Sequence, residues 1–156
     1  MLSYVGPPII DSFREQGLND AIELTHALDT YREIYEEHGL LQSPAYPGVG
    51  EIIAELHRRG VRQSTATSKP ETSATRVLEH YGLSQYFDFI TGASADESRS
   101  AKADVVAEAL QRLRSIDADL SRAIMIGDRH YDVTGSAHNG VPAIYVTWGC
   151  LLYTSP

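Results

Sequence analysis

Ala123-Ile124-Met125-Ile126-Gly127-Asp128-Arg129-His130-Tyr131-Asp132 carries the clearest strand-to-loop signal in the chain. The apolar run predicts a buried strand, and Gly127-Asp128 ends it abruptly. A short helical turn is expected from there to Asn139-Gly140, with a last strand over 142–147. Working back, Val106, Ala109, Leu110 and Leu113 share a helical face, and Phe87 to Thr91 reads as a short strand. Ala74, Val77, Leu78 and Tyr81 mark a helix stopped by Gly82, with Pro70 suited to its first position. Residues 61–67 are weakly apolar but β-compatible, and Val49, Ile52, Ile53 and Leu56 form a helical stripe closed by Gly60. Strands alternating with helices of this length predict an α/β fold, a parallel sheet with helices on both faces.

Ser43-Pro44-Ala45-Tyr46-Pro47-Gly48 interrupts that pattern and marks a boundary. Upstream the chain reads as helical. Leu24, Leu28, Tyr31 and Tyr35 fall on one face, which predicts a core role for both tyrosines. Asn19 is the expected N-cap, Gly39 the expected stop, and a shorter helix is expected over about 8–16. The division is therefore 1–43 helical, 44–150 α/β, and a short tail over 151–156. Charge follows the same line. Residues 1–46 hold eight acidic side chains against Arg14 and Arg32, net −6, and the rest of the −8 is spread over 110 residues. The acidic balance argues against nucleic-acid binding, and no apolar run approaches the roughly 20 residues of a membrane span. A 156-residue chain with 42% hydrophobic and 22% charged residues can bury a real core, which excludes disorder. Its single cysteine, Cys150, allows no internal disulfide and fits a reducing compartment such as the cytoplasm.

In open parallel sheets, ligands bind beyond the carboxyl ends of strands. Thr67-Ser68-Lys69-Pro70 follows one predicted strand. A hydroxyl there, beside free amides at a helix start, suits phosphate, while the ordinary role of Thr67 or Ser68 is to cap the helix. Asp128 and Asp132 follow another. Two carboxylates of this spacing suit Mg²⁺, which binds one or two carboxylates plus waters and phosphate; the ordinary alternative is a capped helix with an acid in its first turn. Lys102 opens a helix, where the dipole disfavours a cation, so a phosphate or a carboxylate partner is one explanation and plain solvation the other. His130 reads as a solvated loop histidine, and the six histidines show no zinc-type spacing.

Taken together, Ala66-Thr67-Ser68-Lys69-Pro70, Lys102 and Gly127-Asp128-Arg129-His130-Tyr131-Asp132 resemble motifs II, III and IV of the haloacid dehalogenase (HAD) superfamily. Tyr4-Val5-Gly6-Pro7-Pro8, Tyr31-Arg32-Glu33-Ile34-Tyr35, Tyr46-Pro47-Gly48-Val49 and Arg99-Ser100-Ala101-Lys102 resemble its phosphoglycolate phosphatase-like branch, some of whose members are 5′-nucleotidases. The resemblance implies a Rossmannoid parallel sheet, with residues 1–43 as most of a helical cap. It implies a Mg²⁺-dependent phosphatase acting on a small phosphorylated metabolite through an aspartyl-phosphate. Thr67, Ser68 and Lys102 would hold the phosphoryl group, Thr67 and Lys102 as catalytic residues, and Asp128 and Asp132 would serve the metal. The family's motif I, a central strand ending in DxDGT that carries the nucleophile, has no counterpart in the sequence. The implied strand would lie between those carrying Thr67 and Asp128. Its absence, and the tail after Thr147-Trp148-Gly149, lead to the expectation of a fragment inactive by itself, with a non-catalytic protein that keeps the pocket for binding phosphate or assembling with a partner as the alternative.

Overall fold

Val105, Val106, Ala109, Leu110 and Leu113 form the buried face of helix α5 (Lys102–Arg114), and the molecule's core is built on that stripe. Their spacing is the helical one the sequence predicts. The computed structural model describes residues 9–96 and 98–149. In order these are α1 (Ile9–Glu15), α2 (Ala21–His38), α3 (Val49–Arg58), α4 (Glu71–His80), a 3-10 turn (Ser84–Tyr86), α5, β1 (Met125–Gly127), α6 (His130–His138) and β2 (Ala143–Tyr145). The tail over 151–156 and Cys150 lie outside the described residues. No described helix is long and apolar enough to cross a membrane.

β1 and β2 pair in parallel, Met125 opposite Ala143, Ile126 opposite Ile144 and Gly127 opposite Tyr145. α6 connects them, and α5 packs against α6. A second parallel pairing joins residues 63–67 to 88–91, through Asp88 N–H to Gln63 O at 2.8 Å, Thr65 N–H to Phe89 O at 3.1 Å and Thr67 N–H to Thr91 O at 3.1 Å. It registers only as isolated bridges at Ser64–Phe89 and Pro70–Ala93, so the two predicted strands here are shorter than expected. The parallel α/β architecture with flanking helices is thus present.

Several local expectations are corrected. Asp20, not Asn19, caps α2: its Oδ1 accepts from Ile22 N–H and Glu23 N–H, both at 3.0 Å, two of the donors a helix start leaves open. Gly39 does end that helix. Pro70 is the N-cap residue of α4 rather than its first residue. Tyr31 is not core: it stacks on Tyr35 with planes 3° apart, yet it lies at the surface. The apolar run 123–126 is not fully buried either, Ile124 and Ile126 being 52% and 53% exposed. β1 has a strand neighbour on one edge only among the described residues, so one edge and one face open into a cleft.

Candidate functional site at the strand ends

That cleft, of about 1820 Å³, is lined by Thr67, Ser68, Lys102, Asp128 and Asp132 together. It is larger than the roughly 300–1,000 Å³ of most small-molecule sites. Residues up to 65 positions apart in sequence share this cleft because each stands between the end of an extended segment and the start of a helix.

Lys102 is the centre of the group. Its ammonium donates to Asp132 Oδ1 at 2.9 Å and to the carbonyl of Ala66 at 2.8 Å, and the two paired side chains are only 12% and 9% exposed. The solvated-lysine reading fails: a carboxylate partner explains a cation at the first position of α5. Through Ala66, the same ammonium stands one residue from Thr67. Asp132 accepts a further bond, Arg129 N–H to Oδ2 at 3.1 Å, which closes the first turn of α6 and fixes the carboxylate's orientation.

Thr67 does not cap α4. Its Oγ1 accepts from Lys69 N–H at 3.2 Å, and α4 has no side-chain cap among its described contacts. The hydroxyl therefore shapes the 67–69 turn and remains able to donate into the cleft. Ser68 lines the same cleft. Asp128 does not cap α6 either, since Arg129 holds that position in an extended conformation. Asp128 instead continues β1 and sits against Gly149, where any Cβ would collide with its carboxylate. His130 is exposed and lies against the ring of Tyr131, centroids 3.8 Å apart.

Three glycines make room for this cluster, and of these Gly135 has no place in the sequence reading. A Cβ at Gly127 would strike Asp132, one at Gly149 would strike Asp128, and one at Gly135 would fall 2.6 Å from Lys102 Cγ. A signal for Gly135 existed: a glycine inside a helix costs about 1 kcal/mol relative to alanine and so suggests a close approach. Lys69 was also passed over. Its ammonium lies 4.5 Å from the centroid of the Tyr35 ring and bonds the Tyr35 hydroxyl, tying the 67–69 turn to α2. Glu36, one residue on, accepts from Ser73 Oγ at 3.2 Å and pairs with Arg76 at 3.1 Å. No local pattern could have announced these long-range contacts.

The residues present meet the modest demand of Mg²⁺, one or two carboxylates with water and phosphate completing the shell. Asp128 at the strand end would be the direct ligand and Asp132, already engaged by Lys102, its support. Among the described residues no cluster of three or more His, Cys, Asp or Glu side chains could hold a metal ion.

Comparison with known proteins agrees with the architecture. The family described as haloacid dehalogenase-like hydrolase matches residues 1–146. The tyrosine-protein kinase PtkA of Mycobacterium tuberculosis is 41% identical over 145 residues, 93% of this chain and 48% of that protein. A 5′-nucleotidase of Pseudomonas aeruginosa is 30% identical, over 94% of this chain and 65% of its own length. The crystal structure of a predicted phosphatase from Clostridium acetobutylicum superposes with a TM-score of 0.83 at 39% identity, covering 94% of this chain and 67% of that one. The chain thus spans about half to two thirds of the length of these relatives.

Proposed function

Because the chain belongs to the haloacid dehalogenase-like hydrolase family, we propose that the cluster around Lys102 is the phosphoryl-handling part of a Mg²⁺-dependent phosphatase for small phosphate monoesters. The observation that carries this reading is the Lys102–Asp132 pair, held one residue from Thr67 and opening on the same cleft as Asp128. Phosphoryl transfer needs donors and cations placed around the equatorial oxygens of the moving group. Thr67 Oγ1 and Ser68 would donate to those oxygens, and the Lys102 ammonium would neutralise their charge. Bound at Asp128, Mg²⁺ would supply further charge neutralisation and orient the phosphate.

The aspartyl-phosphate route adds one requirement. A carboxylate must attack phosphorus, forming a P–O bond as the ester oxygen leaves with its electron pair, and water must then cleave the acyl phosphate. Asp132 is committed to Lys102 and Arg129 N–H, and Asp128 to the metal role. The resemblance places the nucleophile in motif I, which has no counterpart in this sequence, and we infer that the chain has no turnover of its own. The substrate we favour is a phosphoglycolate-like metabolite in the cytoplasm. A nucleoside 5′-monophosphate is the alternative, and the name of the Pseudomonas aeruginosa relative supports it.

The experiment is to incubate the chain with Mg²⁺ and phosphoglycolate, a nucleoside monophosphate and p-nitrophenyl phosphate, and to measure inorganic-phosphate binding by calorimetry. Binding that is lost in Lys102→Ala, without turnover, is expected. Mg²⁺-dependent turnover that disappears in Asp128→Ala would overturn the assignment of the nucleophile. Phosphate binding indifferent to Thr67 and Lys102 would overturn the site.

A further inference from the structure

A cluster of four charged side chains, Glu71, Arg99, Glu108 and Arg112, stands behind the phosphoryl-handling wall, and none of the four lines the cleft. Glu71, the first residue of α4, lies at its centre. Its Oε1 accepts from Arg99 Nη2 at 2.6 Å, pairs with Arg112 Nη2 at 2.9 Å and accepts from Gly92 N–H at 3.4 Å. Glu108 closes the group, its Oε1 lying 2.7 Å from Arg112 Nε and 3.8 Å from Arg99 Nη1. Arg99 Nε also donates to Gly92 O at 3.2 Å. An acid in the first turn of a helix is favourable in its own right. That accounts for the residue type at position 71, but not for three donors converging on one oxygen.

Two parts of the wall meet on this cluster. Residues 91–93 lie against the turn that carries Thr67. Thr67 N–H donates to Thr91 O at 3.1 Å, Ala93 N–H to Lys69 O at 3.0 Å and Glu71 N–H to Ala93 O at 3.2 Å. A Cβ at Gly92 would fall 2.3 Å from Lys69 O and 3.3 Å from Thr67 Cγ2, so this contact has no slack. On the other side, Arg99 stands three residues before Lys102, and Glu108 and Arg112 belong to the helix that Lys102 opens. We propose that Glu71 is a positioning residue for phosphate recognition, a role that rests on the phosphoryl reading of Thr67 and Lys102. By joining Arg99, Arg112 and Gly92 N–H at one oxygen, it sets the distance between the Thr67 turn and the start of α5. Arginine suits the task, because its planar fork lets Arg99 reach Glu71 and Gly92 O at once, which a single lysine ammonium on a flexible stem does poorly. All three bonds to Glu71 fall on Oε1. The role is therefore one of geometry: a neutral side chain that holds an acceptor oxygen at the same point fulfils it.

The test is calorimetric titration of the full chain with inorganic phosphate, at a temperature where urea melts show each variant folded. Glu71→Gln keeps Oε1 as an acceptor and should bind phosphate as the unaltered chain does. Glu71→Asp keeps the charge but is one methylene too short to meet all three donors. It should bind about tenfold or more weakly, the scale on which removing the groups that orient a ligating side chain is felt. Glu71→Ala should match it, and the contrast between Glu71→Asp and Glu71→Gln decides the question if Glu71→Ala does not fold. A purely stabilising Glu71 would leave the affinities of all folded variants equal to that of the unaltered chain, and that result would overturn the proposal alone. Binding as weak in Glu71→Gln as in Glu71→Asp would show that the charge, rather than the placement of one oxygen, matters, and would equally overturn it. An unaltered chain that binds no phosphate would overturn the phosphoryl reading of the site, and this role with it.

Discussion

Lys102 shows how a single awkward residue can be informative. A cation at the first turn of a helix is disfavoured by a few tenths to 1 kcal/mol, a cost that an exposed position would leave unexplained. The buried carboxylate of Asp132 at 2.9 Å explains it, and each of the two groups is protected by the other. Removing one partner leaves an uncompensated buried charge, which costs about 3–5 kcal/mol, whereas removing both costs far less. Lys102→Ala should therefore lower unfolding stability by about that amount in urea titrations. The pair Lys102→Met with Asp132→Asn should recover most of the loss. Equal losses in the single and the double variant would mean that the bonds from the Lys102 ammonium to Ala66 O and from Arg129 N–H to the Asp132 carboxylate, rather than the pairing of the two charges, do the stabilising, since methionine keeps an aliphatic stem.

At the scale of elements, the junction between α5 and α6 decides where Lys102 can stand. Gly135 and Ser136 are buried against the start of α5, and Asn139 Nδ2 donates to Ala103 O at 2.9 Å. Two effects oppose each other in Gly135→Ala. Helix propensity favours alanine by about 1 kcal/mol. The new Cβ, 2.6 Å from Lys102 Cγ and 3.1 Å from Ala103 N, forces the helices apart at a typical cost of 1–3 kcal/mol. Overpacking should win, giving a net loss of up to about 2 kcal/mol in denaturant midpoint analysis, together with altered chemical shifts at Lys102. A gain in stability would show that the junction yields easily. The helices themselves were legible in the sequence because α3, α4 and α5 carry regular apolar spacing. The caps were not: Asn19 and Asp20 are equally good capping residues side by side, and only backbone geometry selects Asp20. Thr67 misled for the same reason, since a hydroxyl before a helix caps by habit, while here the turn through Lys69 intervenes.

At the scale of the whole molecule, stability is expected to be lopsided. The sequence announces a parallel α/β fold and the strand-end positions of Thr67, Asp128 and Asp132. It cannot announce that Ile124, Ile126 and Ile144 stand about half exposed, because apolar alternation reports what a strand is suited to bury, not whether a neighbour covers it. The buried apolar mass lies on the α5 side, where Val105 is fully enclosed and Leu110 nearly so. Leu110→Ala should cost about 2–5 kcal/mol through lost burial and the cavity it leaves. Ile126→Thr, on the open face of the cleft, keeps β-branching and should change stability by no more than about 0.5 kcal/mol. The comparison is made on the isolated chain from urea midpoints at unchanged slope. Should Ile126→Thr prove as damaging as Leu110→Ala, the face must be covered in solution rather than open as the 53% exposure of Ile126 has it.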